Sequence, residues 1–254
     1  MTAAAAPVAP VPPTALSVVV PVRNEAENVL PLVGEIDQAL QGRLVYEMVF
    51  VDDGSTDATL DRLFEAKARY PALRVLRHKK GAGQSAAIAS GVAASRHPWI
   101  ATLDGDGQND PADIPALLQA LADQPADARP LMIAGHRAKR QDNWLRRMSS
   151  RVANGVRAWM LKDATPDTGC GLKLFPRQTF LDMARFNHMH RFLPALMMRQ
   201  GGRVVSVRVN HRPRARGTSK YGLFNRLGVG IVDLFGVMWL ICRPMAPEIE
   251  RFDP

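Results

Sequence analysis

The chain has 254 residues, 46% of them hydrophobic and 22% charged, which excludes wholesale disorder, a collagen-like repeat and a polytopic membrane protein and leaves one enzyme-sized core. Lysines and arginines number 33 against 24 acids, a formal charge of +9, so the favoured partners are anionic: nucleic acid, an acidic membrane face or phosphorylated substrates. Cys170 and Cys242 are the only cysteines and lie far apart, which argues against a zinc knuckle or a disulfide framework and for a reducing compartment.

Met1 to Pro13 reads as a flexible tail, because it lacks a basic start and four prolines interrupt the apolar run that a signal peptide needs. From Leu16, short apolar runs alternate with helical periods. LSVVV, YEMVFV, LRVL, WIATL and LMIAGH are predicted strands, with helices over AENVLPLVGEIDQAL, ATLDRLFEAKARY and QSAAIASGVAAS. That alternation predicts βαβ units and an α/β fold: an open, mostly parallel sheet with helices on both faces. Asn24 with Glu27 three residues later has the form of a capping box, and Asp110 before Pro111 that of an N-cap followed by an N1 proline.

Beyond LMIAGH the periodicity loosens into an Arg-rich helix over 143–161 and strands over 172–175 and 203–209. No repeat or linker divides the chain, so residues 14–222 read as one domain, followed by an apolar helix and tail over 223–254. Between Arg226 and Arg243 lie 16 residues whose one charge is Asp233, short of the roughly 18–20 that cross a bilayer. Leu227, Ile231, Leu234 and Met238 recur there at helical spacing, with Trp239 near one end, which fits a helix lying in a membrane interface. A buried helix closing the core is the alternative.

Ligands of open α/β sheets bind beyond the C-terminal ends of the strands, so VPVRNE, VDDGSTD, LDGDGQND and AGHR are expected to converge. In the third of these, Asp104 and Asp106 sit at spacing two on a strand end, with glycines that let the backbone bend and Gln108 close behind. Such oxygens can share one hard cation, Mg²⁺ or Mn²⁺; a plain Asp/Gly turn is the alternative. Asp52 and Asp53 end another strand, where one carboxylate can accept from a nucleobase or ribose and the other hold the turn. Gly81-Ala82-Gly83 with Ala86 imitates a dinucleotide fingerprint, but in the third βα unit rather than the first; a basic, Gly-rich loop near a diphosphate or base fits better. The six histidines are scattered, and no histidine metal site is expected.

PVRNEAEN, VDDGSTD, KKGAGQSAAIASG and LDGDGQNDP, in this order, resemble the family 2 glycosyltransferases of the GT-A nucleotide-sugar transferase fold. AGHR, SSRVAN, DTGCGLKLF and RPRARGTSKYG are similar to the branch containing dolichol-phosphate mannose synthases and bacterial polyprenyl-phosphate glycosyltransferases. The resemblance implies that Pro21, Arg23, Glu25, Asp52 and Asp53 bind the nucleotide part of the donor. It also implies that Asp104, Asp106 and Gln108 form the metal and diphosphate loop. Arg137, Arg146 and Ser150 match positions that grip the acceptor phosphate, Asp167 matches an acidic residue near the acceptor, and Lys173 replaces the usual Arg. Arg214, Ser219 and Lys220 match a mobile loop that closes on the donor, where Arg214 and Lys220 add positive charge.

The implied reaction is inverting transfer of a sugar from a nucleotide-diphosphate sugar to a polyprenyl phosphate, with Mg²⁺ or Mn²⁺, on the cytoplasmic face of an anionic membrane. Anchoring or export would then depend on other membrane proteins. The first alternative is a family 2 transferase acting on a hydroxyl of a saccharide or glycolipid, with Asp167 as general base. A non-catalytic basic module for nucleic acid or membrane is the other; the basic stretches lack the interleaved aromatics of single-strand binders, so no nucleic-acid partner is expected.

Overall fold

The computed structural model describes residues 13–125, 129–137, 165–213 and 223–243, the side chains of 223–229 excepted, together with five positions between 155 and 163. The predicted Arg-rich helix lies mostly outside these residues, although residues 155, 157, 160 and 161 are helical. Arg146, Ser150, Arg214, Ser219 and Lys220 also lie outside them.

Seven strands form one sheet in the order β3-β2-β1-β4-β6-β5-β7. They are β1 (Ala15–Val22), β2 (Val45–Asp52), β3 (Leu73–Arg77), β4 (Trp99–Thr102), β5 (Leu131–Arg137), β6 (Lys173–Pro176) and β7 (Arg203–Val209). Helices α1 (Ala26–Leu40), α2 (Thr59–Arg69) and α3 (Gln84–Ala94) connect the first four strands, and α4 (Ile114–Ala122) precedes β5. Two short helices follow β6, α5 (Arg177–Leu181) and α6 (Leu193–Arg199), and α7 (Leu223–Ile241) comes last. β6 alone runs antiparallel to its neighbours β4 and β5. Its first residue, Lys173, therefore pairs with Thr102 at the C-terminal end of β4, and the segment leading into β6 arrives at the edge where ligands bind.

Strands buried on both faces need apolar residues at both parities. Leu16, Val18, Val20, Met48 and Phe50 feed the core under α1, α2 and α4, while Val19, Val49 and Val51 feed the core shared with α3, α5, α6 and α7. The Asn24 capping box does not form. Glu25 is the N-cap of α1 and makes no side-chain cap, because Asn24 takes a left-handed φ of 55° and its Oδ1 accepts from the Thr56 N–H at 2.8 Å. That side chain ties the β1–α1 loop to the β2–α2 loop instead. Asp110 does cap, accepting from the Ala112 N–H at 3.0 Å at the head of a 3₁₀ turn, Pro111–Asp113, that leads into α4.

Glu47, 5% exposed, lies near the N-terminal end of β2, away from the ligand edge. It accepts from the Ser17 hydroxyl (2.7 Å), the Arg96 N–H (2.6 Å) and Arg74 (2.8 Å). Burial opposes its charge, yet these three donors outweigh burial and hold the carboxyl below its ordinary value. A depressed folded-state pKa stabilises the protein above the unfolded pKa near 4.5, and that stability is lost as pH falls below it. Glu47→Ala is expected to cost about 2–3 kcal/mol at pH 7, because it leaves three donors unpaired, and to flatten the loss of stability on acidification. Urea denaturation at pH 7 and below pH 4.5 checks both; an unchanged midpoint at pH 7 would remove Glu47 from the account.

Helix α7 packs Leu234, Val237, Met238 and Ile241 on the second core, and Asp233 receives His188 Nδ1 at 3.0 Å. Ile231, Val232, Phe235 and Trp239 remain 55–71% exposed on the outer face. The stripe expected from sequence is thus split: Leu234 and Met238 turn inward and Ile231 outward, because apolar residues occupy most of the helix circumference. Among the described residues no helix is long and apolar enough to cross a membrane.

Candidate active site

The loops after β1, β2, β3 and β4 and the segment before β6 surround a cleft of about 460 Å³. At one end are Pro21, Arg23, Glu25 and Asp53. Asp53, only 3% exposed, accepts from the Ala82 and Gly83 N–H groups, both at 2.8 Å, and meets His78 Nδ1 at 2.7 Å. Burial opposes its charge, and these donors overcome it and hold its carboxyl low. The Gly-rich loop is therefore spoken for: two of its amides face Asp53 rather than a diphosphate. Arg23 lies 4.0 Å from Asp53 and half exposed, while Glu25 is bound by Asn28 Nδ2 at 2.6 Å.

Asp52 does not reach the cleft. Its Oδ1 accepts from the Ser55 N–H at 2.9 Å and its Oδ2 faces Arg77 Nε at 3.4 Å, so this fully buried carboxylate holds the β2–α2 turn. Of the two acids in VDDGSTD, Asp53 is the one at the cleft, because the chain reverses side-chain direction at each residue of a strand.

The middle of the cleft is the DGDGQ loop, where Asp104 and Asp106 both line the wall. Asp104 Oδ1 accepts from Gln84 Nε2 at 2.8 Å, and its N–H donates to Asn109 Oδ1 at 3.1 Å. Gly105 passes so near β1 that a Cβ there would lie 2.6 Å from Val22 Cγ1. Burial, and then the charge of Asp106, push the Asp104 carboxyl up to about 6. A buried carboxylate beside a second one fits a divalent cation, which relieves the cost of charging Asp104. Gln108 departs from expectation: among the described residues it is not part of the cleft wall. Its N–H donates to Asp106 Oδ1 at 3.1 Å and its carbonyl accepts from the Arg212 N–H at 3.0 Å, so its backbone is tied to both Asp106 and Arg212.

The far wall comes from Thr168–Gly171, Lys173, His190 and Arg191. Asp167 and Arg137 form a pair beside it, with Nε and Nη2 of Arg137 reaching the two carboxylate oxygens at 2.7 and 2.9 Å. Sequence reasoning placed both near the acceptor but not in each other's grasp. It also missed Gln84, His190 and Arg191. Gln84 stood in the GAGQSA string and was visible there; His190 is carried in by a 3₁₀ turn, Met189–Arg191, that follows His188 at a φ of 66°, and no spacing rule announces it.

The chain belongs to the family described as glycosyl transferase family 2, whose model matches residues 17–183. The dodecaprenyl-phosphate galacturonate synthase of Rhizobium johnstonii is 36% identical over 237 residues, covering 91% of this chain and 69% of that protein. The undecaprenyl-phosphate 4-deoxy-4-formamido-L-arabinose transferase of Edwardsiella ictaluri is 34% identical, covering 84% of this chain and 65% of its own length. The chain thus spans about two thirds of these relatives. Among solved structures, mannosyl-3-phosphoglycerate synthase from Rubrobacter xylanophilus superimposes with a TM-score of 0.64 at 16% identity, covering 95% of this chain and 79% of that one. Glucosyl-3-phosphoglycerate synthase from Mycobacterium tuberculosis, in complex with Mn²⁺, UDP and glucosyl-3-phosphoglycerate, gives 0.62 at 18%, covering 90% and 80%. These likenesses show the fold, which is the GT-A α/β architecture.

Proposed function

We propose that this enzyme transfers a sugar from a nucleotide-diphosphate sugar to the phosphate of a polyprenyl lipid, with inversion at the anomeric carbon. The observation that carries the reading is the state of Asp167. A hydroxyl acceptor requires a general base, whereas the acid offered for that role is held bidentately by Arg137, which favours its anionic, paired form. A phosphate monoester, with a second pKa near 6, is already a nucleophile at neutral pH and requires no base. The names of the two curated relatives support the same acceptor class.

In this reading Pro21, Arg23, Glu25 and Asp53 hold the nucleoside end. Asp104 and Asp106 would hold Mg²⁺ or Mn²⁺, which offsets charge on the leaving diphosphate. Gln84 keeps Asp104 oriented, and Arg137 keeps Asp167 from accepting a proton. Arg146 and Ser150 toward the acceptor, and Arg214 and Lys220 toward the leaving group, remain assignments by resemblance. An acceptor phosphate oxygen attacks the anomeric carbon, the bond to the β-phosphate oxygen breaks, and the nucleoside diphosphate departs. Radiolabel from the donor should pass into the organic phase with undecaprenyl phosphate and not with undecaprenol; equal labelling of the alcohol would establish the hydroxyl alternative.

The outer face of α7 and the surplus of +9 together support peripheral contact with an anionic membrane on the cytoplasmic side, where the lipid phosphate is met. Replacing Phe235 and Trp239 by Ser should lower partition onto vesicles containing phosphatidylglycerol by about tenfold in 0.5 M salt, where charge attraction is screened. Unchanged partition would exclude α7 as the contact.

A further inference from the structure

Lys173 is 3% exposed and lines the cleft, with the Cys170 carbonyl as its hydrogen-bond acceptor. An ammonium has three donors, so one carbonyl leaves capacity facing the cleft. Burial pushes its pKa down, against the pull of Cys170, Asp104 and Asp167; among the described residues none of these carboxylates makes an ion pair with it, Asp167 being bound to Arg137. Arg191 on the same wall likewise has no carboxylate partner among the described residues. Lys173, buried beside Asp104 and Asp167 with donor capacity to spare, and Arg191, partly exposed on the same wall, together present positive charge to the cleft that an anionic ligand can meet.

His190 completes the wall. The Ser85 side chain meets both the His190 N–H, at 3.2 Å, and Nδ1, at 2.7 Å. Ser85 is 3% exposed, and Nδ1 is the acceptor at hand for its hydroxyl proton, which leaves the imidazole proton on Nε2. Burial, and then the positive charges of Arg191 and Lys173, hold the ring pKa down at about 3, so the ring is a neutral donor throughout the working range. We propose that Lys173, His190 and Arg191 form an oxyanion subsite on the far wall of the cleft, beside the Asp104–Asp106 loop, that receives the phosphate monoester of the lipid acceptor. This rests on the transfer reaction proposed above and adds three donors beside Arg137, whose guanidinium Asp167 already holds.

Direct binding separates the two ideas. Farnesyl phosphate and farnesol, each in detergent micelles, are titrated into protein saturated with UDP and Mn²⁺, and UDP–Mn²⁺ affinity is measured alone. Wild type is expected to bind the phosphate at least about tenfold more tightly than the alcohol. Lys173→Met and Arg191→Gln should each lower farnesyl phosphate affinity by about tenfold, the value of one charge-assisted contact, with farnesol and UDP–Mn²⁺ affinities unchanged. Arg191 is partly exposed, so its variant tests the subsite even if Lys173→Met fails to fold. Retention of full phosphate preference in a folded variant would overturn the subsite and leave the reaction standing. An equal loss of UDP–Mn²⁺ affinity would assign these residues to the donor diphosphate. A wild type that does not discriminate phosphate from alcohol would refute the acceptor class itself.

Discussion

Asp106→Ala is expected to lower kcat/KM by at least about 10³-fold, or ~4 kcal/mol of transition-state stabilisation, while the protein stays folded. Asp106 sits on the cleft wall and its Oδ1 accepts from the Gln108 N–H at 3.1 Å, so its removal disturbs a loop and not the core. Asp104 cannot substitute for it. Burial opposes its charge even without Asp106, and Gln84 already occupies one of its oxygens. Chelation should reduce wild-type activity to a similar level, and Mn²⁺ or Mg²⁺ should restore the wild type but not the variant. Full turnover by chelated enzyme, measured beside an unchanged melting curve, would dismiss the metal from the mechanism.

Gly171→Ala should be nearly as damaging although it removes no functional group. A Cβ at Gly171 would lie 2.3 Å from Asp104 Oδ2 and 2.4 Å from its Cγ, far inside van der Waals contact. To admit the methyl group, Asp104 must rotate away and release the Gln84 amide, or the segment before β6 must shift from β4. Either movement displaces one of the two carboxylates by more than the ~0.5 Å that a reacting constellation tolerates. We expect a loss of about 10²-fold in kcat with a destabilisation of about 1–3 kcal/mol, and a parallel fall in Mn²⁺ affinity measured by calorimetry. Gln84→Ala, which removes only the orienting bond, should lose less, about tenfold. A Gly171→Ala enzyme with wild-type metal affinity would mean that Asp104 does not ligate.

Much of this site was legible because local chemistry coincided with strand ends. LSVVV, YEMVFV, LRVL and WIATL became β1 to β4, and the acids following β2 and β4 fell where the rule for open α/β sheets puts ligands. Legibility failed where a side chain's partner comes from a distant part of the chain. Asn24 resembled a cap but bonds to Thr56, and Asp52 looked as available as Asp53 until the β2–α2 turn claimed it. Gln108 has the right oxygen in the right motif, yet among the described residues it is not part of the cleft wall, and its carbonyl is taken by the Arg212 N–H. The antiparallel entry of β6 is the largest such effect, since it brings Gly171 against Asp104 and Lys173 into its electrostatic reach across about 70 residues of sequence. His190 likewise finds its side-chain partner in Ser85, 105 residues away.

The central claim is tested most directly by mass spectrometry of the lipid fraction after incubation of the full chain with Mn²⁺, undecaprenyl phosphate and a panel of nucleotide-diphosphate sugars. The account predicts an ion at the mass of undecaprenyl phosphate plus one glycosyl residue, a single phosphorus, and the corresponding nucleoside diphosphate in the aqueous phase. A lipid carrying two phosphorus atoms, or sugar found on a hydroxyl acceptor with undecaprenyl phosphate unchanged, would contradict it.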